Sequence, residues 1–228
     1  MIYKAVIFDM DGTIVDTEKV WERATCNLLE QKKVPCTPEI LSLIRHNIQG
    51  LDITKSCTYI KNLTGMTEPV SVIQDEKEAI AHGLYEEGIK FITGFVEFHA
   101  ELRARGIKTA IATNAHDLTI HLTQNALNIR HFFGEHIYGI DSVGNIGKPS
   151  PDVYLYAAKK IDMDPLLCIG IEDSAHGIAA VKSAGMFCIG INTACKPEQV
   201  VCADYIVESY AQIDIDMLFE KMADIKNI

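Results

Sequence analysis

Apolar positions follow two rhythms along this chain of 228 residues. Continuous apolar runs rich in Val, Ile and aromatic residues occur at Tyr3 to Phe8, Ile107 to Thr113, Leu166 to Ile171, Phe187 to Ile191 and Asp204 to Val207. Unbroken runs of that length predict strands buried on both faces. Helical stripes lie between them, at Val96 to Arg105, Leu118 to Leu127, Val153 to Ile161, Ser174 to Ala184 and Met217 to Ile225. Strand alternating with helix predicts an α/β fold, a Rossmann-like parallel sheet covered by helices on both faces. The punctuation agrees: Ser150-Pro151 reads as a capping hydroxyl before a proline at the first helical position, and Gly106 and Gly185 stand where helices end.

Residues 17–92 break this alternation, with several helical stripes and no buried-strand run. Glu18 to Gln31 carries Val20, Trp21, Ala24, Leu28 and Leu29 at helical spacing. Pro35, Pro38, Gly50, Gly65 and Pro69 cut the rest into short helices. The expected organisation is a sheet domain of residues 1–16 and 93–228, with a helical module of residues 17–92 inserted after the first strand. Asp16-Thr17 and the stretch from Gly88 to Gly94 are the expected hinges.

Composition narrows the function. The chain is 48% hydrophobic and 23% charged, with a formal charge of −10, which suits an ordinary globular protein. That balance and the lack of a Lys/Arg block oppose a nucleic-acid phosphate backbone, so no DNA or RNA partner is expected. No stretch approaches the ~20 apolar residues of a membrane span, and the N-terminus lacks the pattern of a secretory leader. Seven scattered cysteines show neither a C-x-x-C pair nor zinc spacing. They read as reduced thiols of a cytoplasmic protein, and a monomer is the default.

The strongest local feature is Phe8-Asp9-Met10-Asp11-Gly12-Thr13, with two aspartates at i, i+2 where the first strand ends. Ligands of open α/β sheets bind outside the carboxyl ends of the strands. Alone, such a stretch is equally a solvated Asp-Gly turn. Three later segments change the balance: Thr113-Asn114 ends the second run, Lys148 lies in Gly-Lys-Pro-Ser-Pro-Asp, and Glu172-Asp173 ends the run from Leu166. Together they supply a nucleophile, a proton donor, phosphate-binding donors, a positive charge and acidic metal ligands. Coincidence is a poor explanation for four such segments converging on one sheet edge.

In those four segments, and in the helical insertion, the sequence resembles the haloacid dehalogenase superfamily, in its branch with a small helical cap. The resemblance spans essentially the whole chain and implies phosphoryl transfer. It implies Asp9 as nucleophile, Asp11 as general acid and base, and Lys148 as the cation that pairs with nucleophile and phosphate. Gly12, Thr13, Thr113 and Asn114 would surround the phosphoryl group. A Mg²⁺ ion would bind Asp9, the Asp11 main-chain carbonyl and Asp173, with Glu172 acting through water. Dehalogenases and phosphonate-cleaving members lack the second aspartate, so Asp11 points to a phosphate ester.

The expected activity is Mg²⁺-dependent hydrolysis of a small phosphorylated metabolite, a sugar or polyol phosphate, through an aspartyl-phosphate. β-Phosphoglucomutase-type relatives carry a cap histidine where Trp21 stands, and an arginine just after the glycine that corresponds to Gly50; neither is present here. A mutase nevertheless remains the alternative, and a non-catalytic binding protein the more distant one. Trp21, Gln49 and Gly50 are the candidate specificity positions of the cap, although Trp21 reads equally well as packing.

Overall fold

The structure, a computed structural model, describes residues 3–48, 50–85 and 87–216. The first run becomes β1 (Ala5–Phe8), and four helices follow it: α1 (Glu18–Gln31), α2 (Pro38–Ile48), α3 (Ile53–Thr64) and α4 (Val70–Tyr85). Then come α5 (Phe95–Ala104), β2 (Lys108–Ala112), α6 (Asp117–Leu127), α7 (Arg130–Phe133), β3 (Ile137–Tyr138) and α8 (Asp152–Lys160). The described part closes with β4 (Cys168–Glu172), α9 (Ala175–Ser183), β5 (Phe187–Ile191), α10 (Pro197–Val200) and β6 (Tyr205–Val207). The helix expected at Met217 to Ile225 lies outside the described residues.

Among the described residues the six strands form one parallel sheet in the order β3-β2-β1-β4-β5-β6, so the fold is the Rossmann-like α/β class that the alternation predicts. β1 is central and buried throughout. Its residues alternate between faces: Val6 and Phe8 join one apolar cluster with Phe95, Phe98 and Phe133, while Ala5 and Ile7 join another with Val153, Tyr154 and Ile178. Each fully buried Ile or Phe in these clusters contributes about 2 kcal/mol. The strand order reverses at β1, the topological switch point where such sheets bind ligands.

Three elements escaped the sequence pattern. β3 has two residues and α7 and α10 four each, too few for any periodicity. One helix start also differs: α8 begins at Asp152, with Pro151 at its cap, and the Ser150 hydroxyl bonds the Asp152 carboxylate instead of capping a backbone N–H.

Helices α1 to α4 gather around a third cluster of Leu28, Leu29, Ile44, Cys57, Ile60, Met66 and Ile73. α1 and α4 pack on each other and also reach the sheet-side cluster, through Val20 and Ala24 and through Ala81, Leu84 and Tyr85. The amphipathic stripe of α1 is therefore shared between two cores. α3 starts on Asp52, whose carboxylate accepts the Lys55 N–H at 2.9 Å, and stops at Gly65 in the left-handed conformation. All seven cysteines are unpaired thiols. No helix among the described residues is long and apolar enough to cross a membrane.

Candidate active site

The chain leaves β1 with the Asp9 N–H donating to the Ile171 carbonyl, which carries its carboxylate to the carboxyl end of the sheet. The loop doubles back at once, with the Ile14 and Val15 N–H groups donating to the Met10 carbonyl. Gly12 makes that reversal feasible. Its φ is +82°, and a Cβ there would lie 2.3 Å from Asp173 Oδ2, so both conformation and space demand glycine.

Lys148 is the centre of the charge arrangement. The residue is 1% exposed, and its Nζ donates to Asp9 Oδ1 and Glu172 Oε1, each at 2.5 Å. The Tyr154 hydroxyl donates to the same Glu172 oxygen at 2.8 Å. Ser174 donates to the other Glu172 oxygen from its backbone N–H at 3.3 Å and its hydroxyl at 3.0 Å. A Cβ on Gly177 would sit 1.9 Å from that carboxylate, so this glycine at the start of α9 is what lets Glu172 lie there. Glu172 thus has both oxygens engaged in holding Lys148 and the β4 loop.

Burial pushes the Lys148 pKa down, but the two carboxylates outweigh it, and the group stands above the ordinary lysine value as an ammonium. Burial raises Asp9, with Glu172 and Asp11 adding to the effect and Lys148 opposing it. Burial likewise raises Asp11, against the Thr17 hydroxyl, which donates to its Oδ1 at 2.5 Å. Trp21 and Tyr85 flank the same carboxylate.

Asp9, Glu172 and Asp173 can each place a carboxylate oxygen within 4.8 Å of the others, and all three are buried. An all-oxygen donor set with one ammonium against three carboxylates suits a hard divalent cation. Thr113 is buried where β2 ends, its hydroxyl accepting the Ala115 N–H at 3.1 Å. Asp9, Asp11, Gly12, Thr113, Asn114, Lys148 and Asp173 all line one cavity of about 290 Å³. Its opposite wall is built from the helical segment, by Trp21, Glu22, Ile44, Arg45, Gly50 and Lys77 among others.

The description "haloacid dehalogenase-like hydrolase" belongs to a family model that matches residues 3–185. The chain belongs to this family. It is 28% identical to a β-phosphoglucomutase of Bacillus subtilis over 227 residues, covering 96% of this chain and 95% of that protein. It is 29% identical to a phosphorylated carbohydrates phosphatase of Thermotoga maritima, covering 80% of this chain and 82% of that protein. Among solved structures, CbbY of Rhodobacter sphaeroides in complex with phosphate superposes with a TM-score of 0.77 at 26% identity, over 92% of this chain and 96% of that one.

In this haloacid dehalogenase-like hydrolase, the remaining residues singled out in the sequence are placed unevenly. Thr13 is buried outside the cavity lining, and its carbonyl accepts the Tyr210 hydroxyl at 3.0 Å. Trp21 combines both of its readings, since it is packed against the sheet-side cluster and also lines the cavity. Gly50 lines the cavity at φ +73°. Gln49 lies outside the described residues. Two further basic side chains of the helical segment are paired as well: Arg45 reaches the cavity but is ion-paired with Glu22, and Lys55 is ion-paired with Asp52 at 2.7 Å.

Sequence reasoning missed Tyr154, Thr17 and Lys77. Tyr154 looked like an ordinary apolar-stripe residue of α8, and Thr17 like a hinge. Lys77 did leave a signal: it falls between Ile73 and Ala81 on the apolar stripe of α4, where a charge has no reason to be unless something needs it. It is 1% exposed, its ammonium is 3.2 Å from the Ser56 hydroxyl, and it stands 5.7 Å over the Trp21 ring.

Proposed function

We propose that the protein is a phosphatase of a small phosphorylated metabolite, a sugar or polyol phosphate, working through an aspartyl-phosphate. The observation that carries this reading is the Asp9–Lys148–Glu172 chain buried beside Asp11 at one cavity. An Asp9 carboxylate oxygen attacks phosphorus, a P–O bond forms, and the ester oxygen leaves with its electron pair. Asp11 donates its proton to that oxygen, which its raised pKa favours, and later takes a proton from the water that attacks the aspartyl-phosphate. Thr17 holds Asp11 Oδ1 and so fixes its direction. The Lys148 ammonium offsets the charge of Asp9 and the phosphoryl oxygens, and Thr113 lines the same cavity.

Asp9, Asp173 and the Asp11 carbonyl would hold Mg²⁺, with Glu172 acting through water. The ion would supply the positive charge that lets a carboxylate approach a phosphate dianion. Residues 17–92 act as the cap over a core of residues 1–16 and 93–228, and Trp21, Gly50 and Gln49 belong to its specificity surface.

Hydrolysis is favoured over mutase chemistry because a mutase must grip a second phosphate. On the described cap wall, Arg45 is already paired with Glu22, and Leu51 follows Gly50 where the mutase-type relatives carry an arginine. The named relatives include both activities, a β-phosphoglucomutase and a carbohydrate phosphatase. The test is phosphate release from sugar, polyol, glycolate and nucleoside monophosphates, with Mg²⁺, with EDTA, and with Asp9→Asn. Metal-dependent release that falls by at least about 10³-fold in the variant is expected. Isomerised sugar phosphate without free phosphate would establish the mutase instead, and no turnover of any kind would leave only the binding protein.

A further inference from the structure

Asn114 sits in the cavity wall, but its carboxamide is committed elsewhere. Its Oδ1 accepts the backbone N–H of Lys148 at 2.8 Å, and its Nδ2 donates to the Gly50 carbonyl at 3.0 Å. The orientation is forced, because the Lys148 N–H can only donate and the Gly50 carbonyl can only accept. A planar amide moves as one unit, so fixing its nitrogen against Gly50 also aims its oxygen at Lys148.

Two further contacts converge on the same place. Gly147, which precedes Lys148, has no side chain in a space where a Cβ would come within 3.1 Å of Asn114 Oδ1 and 3.2 Å of Asp52 Oδ2. Asp52 is the residue that starts α3. A Cβ on Gly50 would meet the Ser174 hydroxyl at 2.4 Å, and that hydroxyl bonds the Glu172 carboxylate that holds the Lys148 ammonium. The turn of residues 50–52 therefore touches both ends of Lys148: its backbone through Asn114 and Gly147, and its ammonium through Ser174 and Glu172.

We propose that Asn114 is a positioning residue that couples the seating of the helical segment on the sheet edge to the placement of Lys148. With the segment seated, the amide bridge is complete and Lys148 is held against Asp9. With the segment lifted, Gly50 and Asp52 leave, the bridge loses its anchor, and the loop carrying Lys148 loses contacts on two sides. The device makes full catalytic competence conditional on closure. It rests on the phosphatase reading for the role of Lys148.

Trp21, the only tryptophan of the chain, lines the same cavity and reports closure independently of turnover. The experiment compares wild type, Asn114→Ala, Gly147→Ala and the double variant. It reads Trp21 emission without ligand and upon titration with inorganic phosphate, and hydrolysis of p-nitrophenyl phosphate with Mg²⁺. Each single variant is expected to shift Trp21 emission to the red and to lower kcat by about tenfold, the size of one to two lost hydrogen bonds. The double variant should lose little more than either single, since both substitutions break one coupling. Gly147→Ala leaves the Asn114 amide intact and carries the test alone should Asn114→Ala not fold.

Wild-type emission in a variant whose kcat falls would overturn the coupling, and so would losses that multiply to about 100-fold in the double variant. If the wild type releases no phosphate from any ester while the emission shifts still occur, the phosphatase reading fails and the structural coupling stands.

Discussion

Two lysines, each 1% exposed, set the two halves of the cavity apart. On the sheet edge, Lys148 has two carboxylates at 2.5 Å, and its pKa is lifted. In the helical segment, Lys77 has a serine hydroxyl and the Trp21 ring, and burial pulls its pKa down. The first is part of a built charge network in which every member is held by another. The second is a buried cation without a comparable counter-ion at hydrogen-bonding distance among the described residues, a costly arrangement that a protein does not need for packing. The sheet edge is thus a closed charge network, whereas the helical wall holds one buried ammonium with a hydroxyl and an aromatic ring beside it.

The comparison breaks most sharply on charge removal. Lys148→Met should abolish phosphate release and destabilise the protein by about 3 kcal/mol, because it leaves Asp9 and Glu172 facing each other in a buried site. Lys77→Met should do the reverse for stability, raising it by about 1 kcal/mol by replacing a poorly paired cation with an apolar chain of similar length. The same variant should raise KM more than it lowers kcat. Chemical denaturation and steady-state kinetics on the two variants check both; a stability loss in Lys77→Met comparable to that in Lys148→Met would erase the distinction.

A smaller effect comes from His99, which lies behind the sheet edge among Phe8, Phe95 and Phe133, its Nε2 3.0 Å from the Thr109 hydroxyl. Burial lowers its pKa to about 4, with Arg103 and His131 adding to the shift. Below its ordinary value of about 6.5 the unfolded chain takes up a proton that the folded protein refuses. Stability from this group is therefore full above pH ~6.5 and lost as pH falls toward 4, by about 2 kcal/mol after allowance for solvent screening. His99→Gln should flatten that part of a stability–pH curve without altering the Lys77 and Lys148 contrast.

The two halves also differed in how far the sequence revealed them. β1, β2 and β4 are continuous apolar runs with Asp9, Thr113 and Asp173 at or just past their ends, so bringing these three to one cavity follows from alternation and topology, whereas Lys148 comes from the loop before α8. β3 was invisible because two residues carry no period. The helical wall was harder: α1 was legible in full, but which of its neighbours would face the cavity depends on how four short helices pack. Lys77 left only one signal, a charge on the apolar stripe between Ile73 and Ala81. The Asn114 amide bridge requires knowing that residue 50 lies over residue 114, which no spacing along the chain announces.

The central claim is that Asp9 at the end of β1 accepts the phosphoryl group. The most direct measurement is peptide mass mapping after rapid acid quench of Asp11→Asn turning over p-nitrophenyl phosphate with Mg²⁺. Its good leaving group needs little protonation, while hydrolysis of the intermediate lacks its base. A phosphoryl group accumulating on Asp9 is the predicted result; continued phosphate release with Asp9 unmodified throughout, or the group on another residue, would contradict the account.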